Sequence, residues 1–327
     1  DAPRLGWQMS SPENGTRQTA YEIEVRDVWA GKVVWNSGKV KSAQSQLVSC
    51  ADAVLEKDRH YTWRVRVWDE ADTPSAWSAP SDFSILTSEA AFAGSEWIGA
   101  ITRKDARIPE GRKYHGSELK KPEAKAAWAA VDTLAKKSIY LRREFYVAKK
   151  VKDATAYVCG LGFYEFSLNG EKVGDSEFAP LWSDYDKSVY YNTYDVTSQV
   201  KKGGNAIGVL LGNGFYNVQG GRYRKLQISF GAPTLRFRMV VNYEDGTSET
   251  IVSGKDWKYD FSPVLFNCIY GGEDYDARRE QKGWNMFGFK EQDWHPVVIQ
   301  EAPKGVLRPQ IAQPVKIMER YDIRKMT

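Results

Sequence analysis

Cysteine and histidine are scarce in this sequence, with three of each in 327 residues, and that scarcity excludes several chemistries. Cys50, Cys159 and Cys268 lie far apart and match neither metal-ligand spacing nor the dense pairing of a disulfide-stapled domain. Nothing basic flanks them to stabilise a thiolate, so all three read as buried thiols. Cys159, within Ala156-Tyr157-Val158-Cys159-Gly160, suits a strand interior. His60, His115 and His295 are scattered as well, which predicts no metal site and no His-dependent triad. No apolar run approaches the roughly 20 residues that cross a bilayer as a helix, and no charged-then-apolar leader opens the sequence. A dominant charge is also lacking. The 46 Lys and Arg nearly balance the 42 Asp and Glu and are dispersed, so neither nucleic acid nor membrane is an expected partner.

What is plentiful is apolar and aromatic material, 42% and 13% of the residues, enough for more than one core and two or three domains. From Arg4 to about Leu86, short alternating segments separated by turn residues predict a β-sandwich. Tyr21-Glu22-Ile23-Glu24-Val25 alternates as a strand with one buried face must. Tyr61-Thr62-Trp63-Arg64-Val65-Arg66-Val67-Trp68 places Tyr61, Trp63, Val65 and Val67 inward, with Thr62, Arg64, Arg66 and Trp68 outward. With Ser75-Ala76-Trp77-Ser78-Ala79-Pro80 following, the segment resembles a fibronectin type III (Ig-like) domain, a resemblance that implies a scaffold. Residues 1–90 are assigned to it.

Residues 91–137 read as a linker and insertion. Trp97-Ile98-Gly99 looks like a strand entering a new domain, and Arg103 to Glu123 is too rich in charge, Pro and Gly to be ordered by burial. Pro122 to Val131, with Pro near the first turn and an Ala-rich body, is the best helix candidate.

Strands return over residues 138–305. Asn169-Gly170, between Phe166-Ser167-Leu168 and Lys172-Val173, predicts a two-residue type I′ hairpin. Asp245-Gly246 predicts the same device between Met239 to Tyr243 and Thr250 to Val252. The second domain is therefore antiparallel, a sandwich or jelly roll of the galactose-binding kind, and the fold class is all-β with two β-sandwich domains. Residues 306–327 are expected to start a further domain.

The segments Tyr140 to Phe145 and Ala156 to Gly174 resemble the amino-terminal domain of family 78 glycoside hydrolases, the bacterial α-L-rhamnosidases. Ala179-Pro180-Leu181-Trp182-Ser183-Asp184-Tyr185 is similar to that family's Pro-Gly-Trp-Thr-Asp-Tyr turn, with Leu181 in place of Gly. Tyr194 to Thr197 and Gly204 to Tyr216 continue the match, Phe215 standing where the family has Trp. Gly272 to Arg278 and Trp284 to Trp294 complete it, while Pro3 to Gln8 and Thr19 to Tyr21 are similar to the preceding module. The resemblance implies that hydrolysis of terminal α-L-rhamnose belongs to an (α/α)6 barrel downstream, working by inversion with two carboxylates. It also implies a periplasmic or secreted protein whose partners are rhamnose-containing glycans and its own downstream catalytic domain. No helical periodicity of that length occurs here, so no catalytic residue is assigned. Acidic pairs such as Asp184 with Asp186, and Glu273 with Asp274 and Asp276, read as solvated or structural, with Arg278 and Arg279 as partners in a strand-end network.

Sugars are gripped by aromatic faces with planar polar groups at the edge. The loop candidates are Trp182, Asp184, Tyr185, Asn213, Tyr216 and Asn217, with Gly220-Gly221 nearby allowing a backbone to approach closely. No cofactor is assigned. Some related modules hold rhamnose through calcium, but that ion needs six to eight oxygens and Asn213 has no adjacent acid. Two functions stay open: an ancillary part that binds carbohydrate, or a spacer that binds nothing.

Overall fold

A computed structural model describes residues 3–56, 59–85, 88–109, 113–115, 117–218, 222 and 226–322. The chain divides into two compact units, Asp1–Ala90 and Ala91–Thr327, both built from strands.

In the first unit β1 (Ala20–Asp27), β2 (Lys32–Asn36), β3 (Arg59–Trp68) and β4 (Ser81–Ile85) form a sheet in the order β2-β1-β3-β4. Arg4–Leu5 pairs separately with Val48–Ser49. The alternation in β1 and β3 sends Ile23, Val25, Tyr61 and Val65 into a core shared with Leu5, Val48 and Cys50, against which Trp63 and Val67 pack. The opposite face of β3 differs from the expectation at Trp68, which is buried. Its indole is covered by Lys39 and Arg66, at 4.7 and 5.0 Å from the ring. Trp77 is stacked in the same way against Arg64 and Arg66, at 4.6 and 4.8 Å. Glu24 and Glu22 hold the two guanidiniums from β1. A row of cation–π contacts thus buries aromatic surface on a face that alternation alone would give to water.

The second unit packs two sheets on one core. Its long strands are β5 (Ile139–Val147), β6 (Val151–Leu161), β7 (Tyr164–Leu168), β8 (Ser188–Asp195), β9 (Gly203–Leu211), β10 (Thr234–Tyr243), β11 (Ser248–Val252) and β12 (Lys258–Phe261). The first sheet runs β7-β9-β5-β12, flanked by Glu171–Lys172 and His295–Pro296; the second has β10-β6-β8, with β11 and Ile98–Gly99 on β10. Leu141, Phe166, Val209, Val158, Phe237 and Trp257 meet between them. A hairpin of β13 (Val264–Cys268) and β14 (Gly272–Tyr275) follows. The three cysteines are buried and free, and burial pushes the Cys159 thiol far up.

Several expectations are sharpened or corrected here. Asn169 and Gly170 have φ of 55° and 87°, as a two-residue I′ turn between Leu168 and Glu171 requires. At Asp245-Gly246 only Gly246 has positive φ, and the amides of Gly246 and Tyr243 bond to Tyr243 and Thr247. That turn is a three-residue loop closed by a glycine, a second hairpin solution. The insertion is not all surface. Ala106, Ile108, Val131 and Ala135 form a small core with Ala232 and Trp128. The helix Pro122–Ala129 contributes by burying Ala124 and Trp128, four residues apart.

The stretch read as starting a further domain is bound into this unit. Strand β15 (Val306–Pro309) lies parallel to Ser188–Tyr191 at the edge of the second sheet, and Val315–Lys316 pairs with Ser176–Glu177. Unpaired amides and carbonyls at those edges are satisfied by the returning chain. Gly220-Gly221 lie outside the described residues.

Candidate functional site

The six candidates separate into a buried group and an exposed pair. Tyr185, Asn213, Tyr216 and Asn217 are buried. The Asn213 amide donates to the Lys136 carbonyl, and its backbone N–H to Asn267 Oδ1. Asn217 donates to the Ala135 carbonyl and to Asn213 Oδ1, and accepts from the Ser229 hydroxyl. These amides satisfy the backbone of the segment leading into β5, which is why polar residues can sit there without water. Tyr216 stacks on Phe230 at 5.8 Å and meets Tyr185 edge-on at 5.1 Å. Burial raises the Tyr185 phenol well above its ordinary value. Asn213 and Asn217 are turned inward, since planar polar groups serve a buried backbone as well as a ligand, whereas Tyr185 and Tyr216, although buried, also border a small cavity of about 130 Å³ with Asp186 and Phe230.

Asp184 is half exposed beside Lys187, 3.2 Å away. Trp182 alone of the predicted aromatics stands in solvent, 62% exposed, and it belongs to a different cluster. Its ring lies 5.4 Å from Phe215, which is 5.8 Å from Tyr270 and 6.1 Å from Phe163; Phe163 in turn lies 5.5 Å from Phe178. Phe163 and Phe178 line a groove of about 540 Å³, together with Glu165, Lys172, Glu177, Asn267 and Glu273. Phe215, Trp182 and Tyr270 continue the aromatic row beside it.

Glycines build this row. Gly162 has φ of 126° and Gly214 has φ of 52°, conformations that favour glycine. The ends of β6 and β9 approach so closely that the Gly212 amide donates to the Phe163 carbonyl at 2.8 Å. Each glycine then delivers an aromatic residue, Phe163 or Phe215, to the same side. Phe178 has φ of 53° with its ring 61% exposed. A left-handed bulky residue is strained by roughly 1–3 kcal/mol, and here the strain places an aromatic ring at the groove rather than in the core. Sequence reasoning missed Phe163, Phe178, Phe215 and Tyr270 as site residues. The signal was present for Phe163 and Phe215, which both follow a glycine at the end of a buried strand.

Polar groups sit along the groove's edge. Lys172 Nζ is 2.8 Å from Glu177 and 3.5 Å from Glu165. Desolvation pulls its pKa down, but the Glu177 hydrogen bond and both carboxylate charges outweigh that and raise it. The ammonium is therefore a fixed charge. Aromatic faces beside hydrogen-bonding edges can hold a sugar ring by its C–H surface and read its hydroxyls. Among the described residues, no three His, Cys, Asp or Glu converge as metal ligands, and no helix is long and apolar enough to cross a membrane.

Comparison with known proteins places the chain in a family. Residues 149–319 match the α-L-rhamnosidase N-terminal domain, and residues 1–86 match the Rha78A-like N-terminal immunoglobulin domain. An α-L-rhamnosidase of Formosa agariphila is 36% identical over 306 residues, 90% of this chain and 31% of that protein. The solved α-L-rhamnosidase of Streptomyces avermitilis, complexed with L-rhamnose, superposes with a TM-score of 0.73 at 26% identity, over 97% of this chain and 45% of that one. The native enzyme of Aspergillus terreus gives 0.70 at 29% identity, over 92% and 32%. The chain thus spans between about a third and just under half of the length of these relatives. With one family domain matched over half its residues and the family's immunoglobulin domain before it, the chain belongs to the α-L-rhamnosidases of glycoside hydrolase family 78 and carries their N-terminal region.

Proposed function

We propose that this chain is the ancillary, non-catalytic part of a periplasmic or secreted α-L-rhamnosidase that removes terminal α-L-rhamnose from plant glycans or glycosides. Hydrolysis with inversion belongs to a downstream (α/α)6 barrel, while the two sandwiches scaffold it and the second holds carbohydrate. One observation carries the binding role: the row Phe178, Phe163, Phe215, Trp182 beside a groove edged by Lys172, Glu177 and Asn267. Phe178 and Trp182 are exposed and Phe163 and Phe215 half-buried between them, and a contiguous aromatic patch of this kind marks a binding surface. The Streptomyces avermitilis relative, solved with L-rhamnose, supports the sugar class.

Titration of the full chain with L-rhamnose and rhamnosyl disaccharides, by NMR or calorimetry, tests this. A single shallow groove predicts a Kd on the order of 1 mM, ~4 kcal/mol, with shifts confined to the Trp182 and Phe178 surroundings. The burial of Tyr185, Asn213, Tyr216 and Asn217 favours a second reading, a spacer with no ligand. Silence at concentrations far above that Kd establishes it.

A further inference from the structure

We infer that the aromatic groove accepts neutral saccharides and turns away those bearing carboxylate or sulfate groups. The inference rests on the sugar-binding reading above and adds a selection rule to it. The charged side chains lining the groove among the described residues are Glu165, Glu177, Glu273 and Lys172. Three carboxylates against one ammonium leave the lining two charges negative. The single cation is already engaged, since Lys172 lies between Glu177 and Glu165 at 2.8 and 3.5 Å.

Two neighbouring cations among the described residues, Arg222 and Lys137, are committed elsewhere. Arg222 donates twice from one nitrogen to the Asp274 carboxylate, at 2.7 and 2.6 Å, one residue along from Glu273. Lys137, next to the lining residue Ser138, is turned onto the Phe261 ring at 4.2 Å. An anionic sugar entering the groove would give up water beside like charges, with no free guanidinium or ammonium among these groups to receive it. The aromatic walls exclude solvent and extend the reach of those charges. A neutral ring meets no such penalty, because its hydroxyls donate to the same carboxylates.

The test compares two ligands of one size on the full chain: a rhamnosyl-galactose disaccharide and the matching rhamnosyl-galacturonate, titrated by NMR at low salt. The neutral sugar is expected to bind about tenfold more tightly, with the gap closing in about 1 M NaCl, where screening shortens to ~3 Å. Glu273→Gln and Glu165→Gln, both exposed, should each narrow the gap, strengthening the uronate by removing a like charge and weakening the neutral sugar modestly, because an amide oxygen accepts from its hydroxyls less strongly than a carboxylate does. Equal binding of the two sugars, or a gap that neither variant nor salt moves, overturns the selection rule while leaving the sugar site standing. Failure of both sugars to bind removes the site itself, and the rule with it.

Discussion

A side chain on Gly162 would place its Cβ 2.0 Å from the carbonyl oxygen of Gly212. The obstacle is backbone just past the end of β9, in the facing sheet, and Gly162 also has φ of 126°, so neither side can yield cheaply. Gly162→Ala should destabilise the second unit by roughly 3 kcal/mol or more. Gly204 makes a contrasting case. Its missing Cβ would meet the Phe287 ring at 2.4 Å, but that ring is 52% exposed and can swing into solvent. Gly204→Ala should therefore cost only about 1 kcal/mol. Urea unfolding of the two variants separates these cases; equal midpoints would contradict the backbone contact.

The same glycines show what the sequence allowed to be read. Alternation in Tyr61 to Val67 and the Asn169-Gly170 turn encode strand and hairpin directly, because side-chain period and φ preference are local properties. The Gly204 to Gly208 motif was legible as a family feature but not as a packing device. Its reason lies far along the chain, where Phe287 covers Gly204 and Trp284 with Asn285 covers Gly208. The site was half legible for the same reason. Trp182 and Tyr216 look alike in a loop sequence, and only the fold shows that Phe230 covers one and water the other. Burial of Trp68 was equally hidden, since its cover comes from Lys39 and Arg66 rather than from apolar neighbours.

Arg142 is fully buried and joins β5 to the loop that crosses its sheet. Its Nε donates to the Trp284 carbonyl at 2.8 Å and Nη2 to the Met286 carbonyl at 3.0 Å, while Glu144 and Glu291 bind the remaining edges. Arg142→Met should cost about 3 kcal/mol, at the low end for a broken buried pair because both glutamates can rehydrate. Arg142→Lys should recover little, as one ammonium cannot span two carbonyls and two carboxylates. Near-ultraviolet circular dichroism should follow the loss, since Trp284 stacks on Tyr140 at 4.0 Å.

Acid should act in part through Asp276. The Arg278 guanidinium hydrogen-bonds its carboxylate at 2.8 and 2.9 Å and holds its pKa down, to about 2. The unfolded value is about 3.9, so the folded state binds the proton more weakly. The stabilisation is complete above the unfolded value and is lost as pH falls through about 2. Asp276→Asn should be less stable at neutral pH and lose less between about pH 4 and 2. Parallel pH profiles for wild type and variant would show that the pair contributes nothing.

The chain should not release nitrophenol from a nitrophenyl α-L-rhamnoside above the buffer blank. Inverting hydrolysis needs one carboxyl to protonate the leaving oxygen and another to activate water across the ring. In the groove Glu165 and Glu177 are both tied to Lys172, and Asp184 lies outside it beside Lys187. Turnover that survives repurification and disappears in Glu273→Gln or Asp184→Asn would overturn the ancillary role.

Trp182→Ala and Tyr216→Ala should fail in opposite ways. Trp182 is exposed and touches the Phe215 ring at the end of the aromatic row. Its removal should abolish or strongly weaken rhamnoside binding and shift stability by no more than about 0.5 kcal/mol, as for other surface changes. Tyr216 is buried between Tyr185 and Phe230, and its hydroxyl donates to the Phe230 carbonyl at 3.2 Å. Truncating it leaves a cavity and removes that hydrogen bond, at about 3–5 kcal/mol. At a temperature where the Tyr216→Ala protein is still folded, it should bind sugar as the wild type does. Chemical-shift titration of both variants, alongside their melting curves, distinguishes a ligand face from a packing residue. If Tyr216→Ala alone loses the sugar while folded, the site lies in the buried tyrosine cluster; if Trp182→Ala alone loses it, the groove is the site.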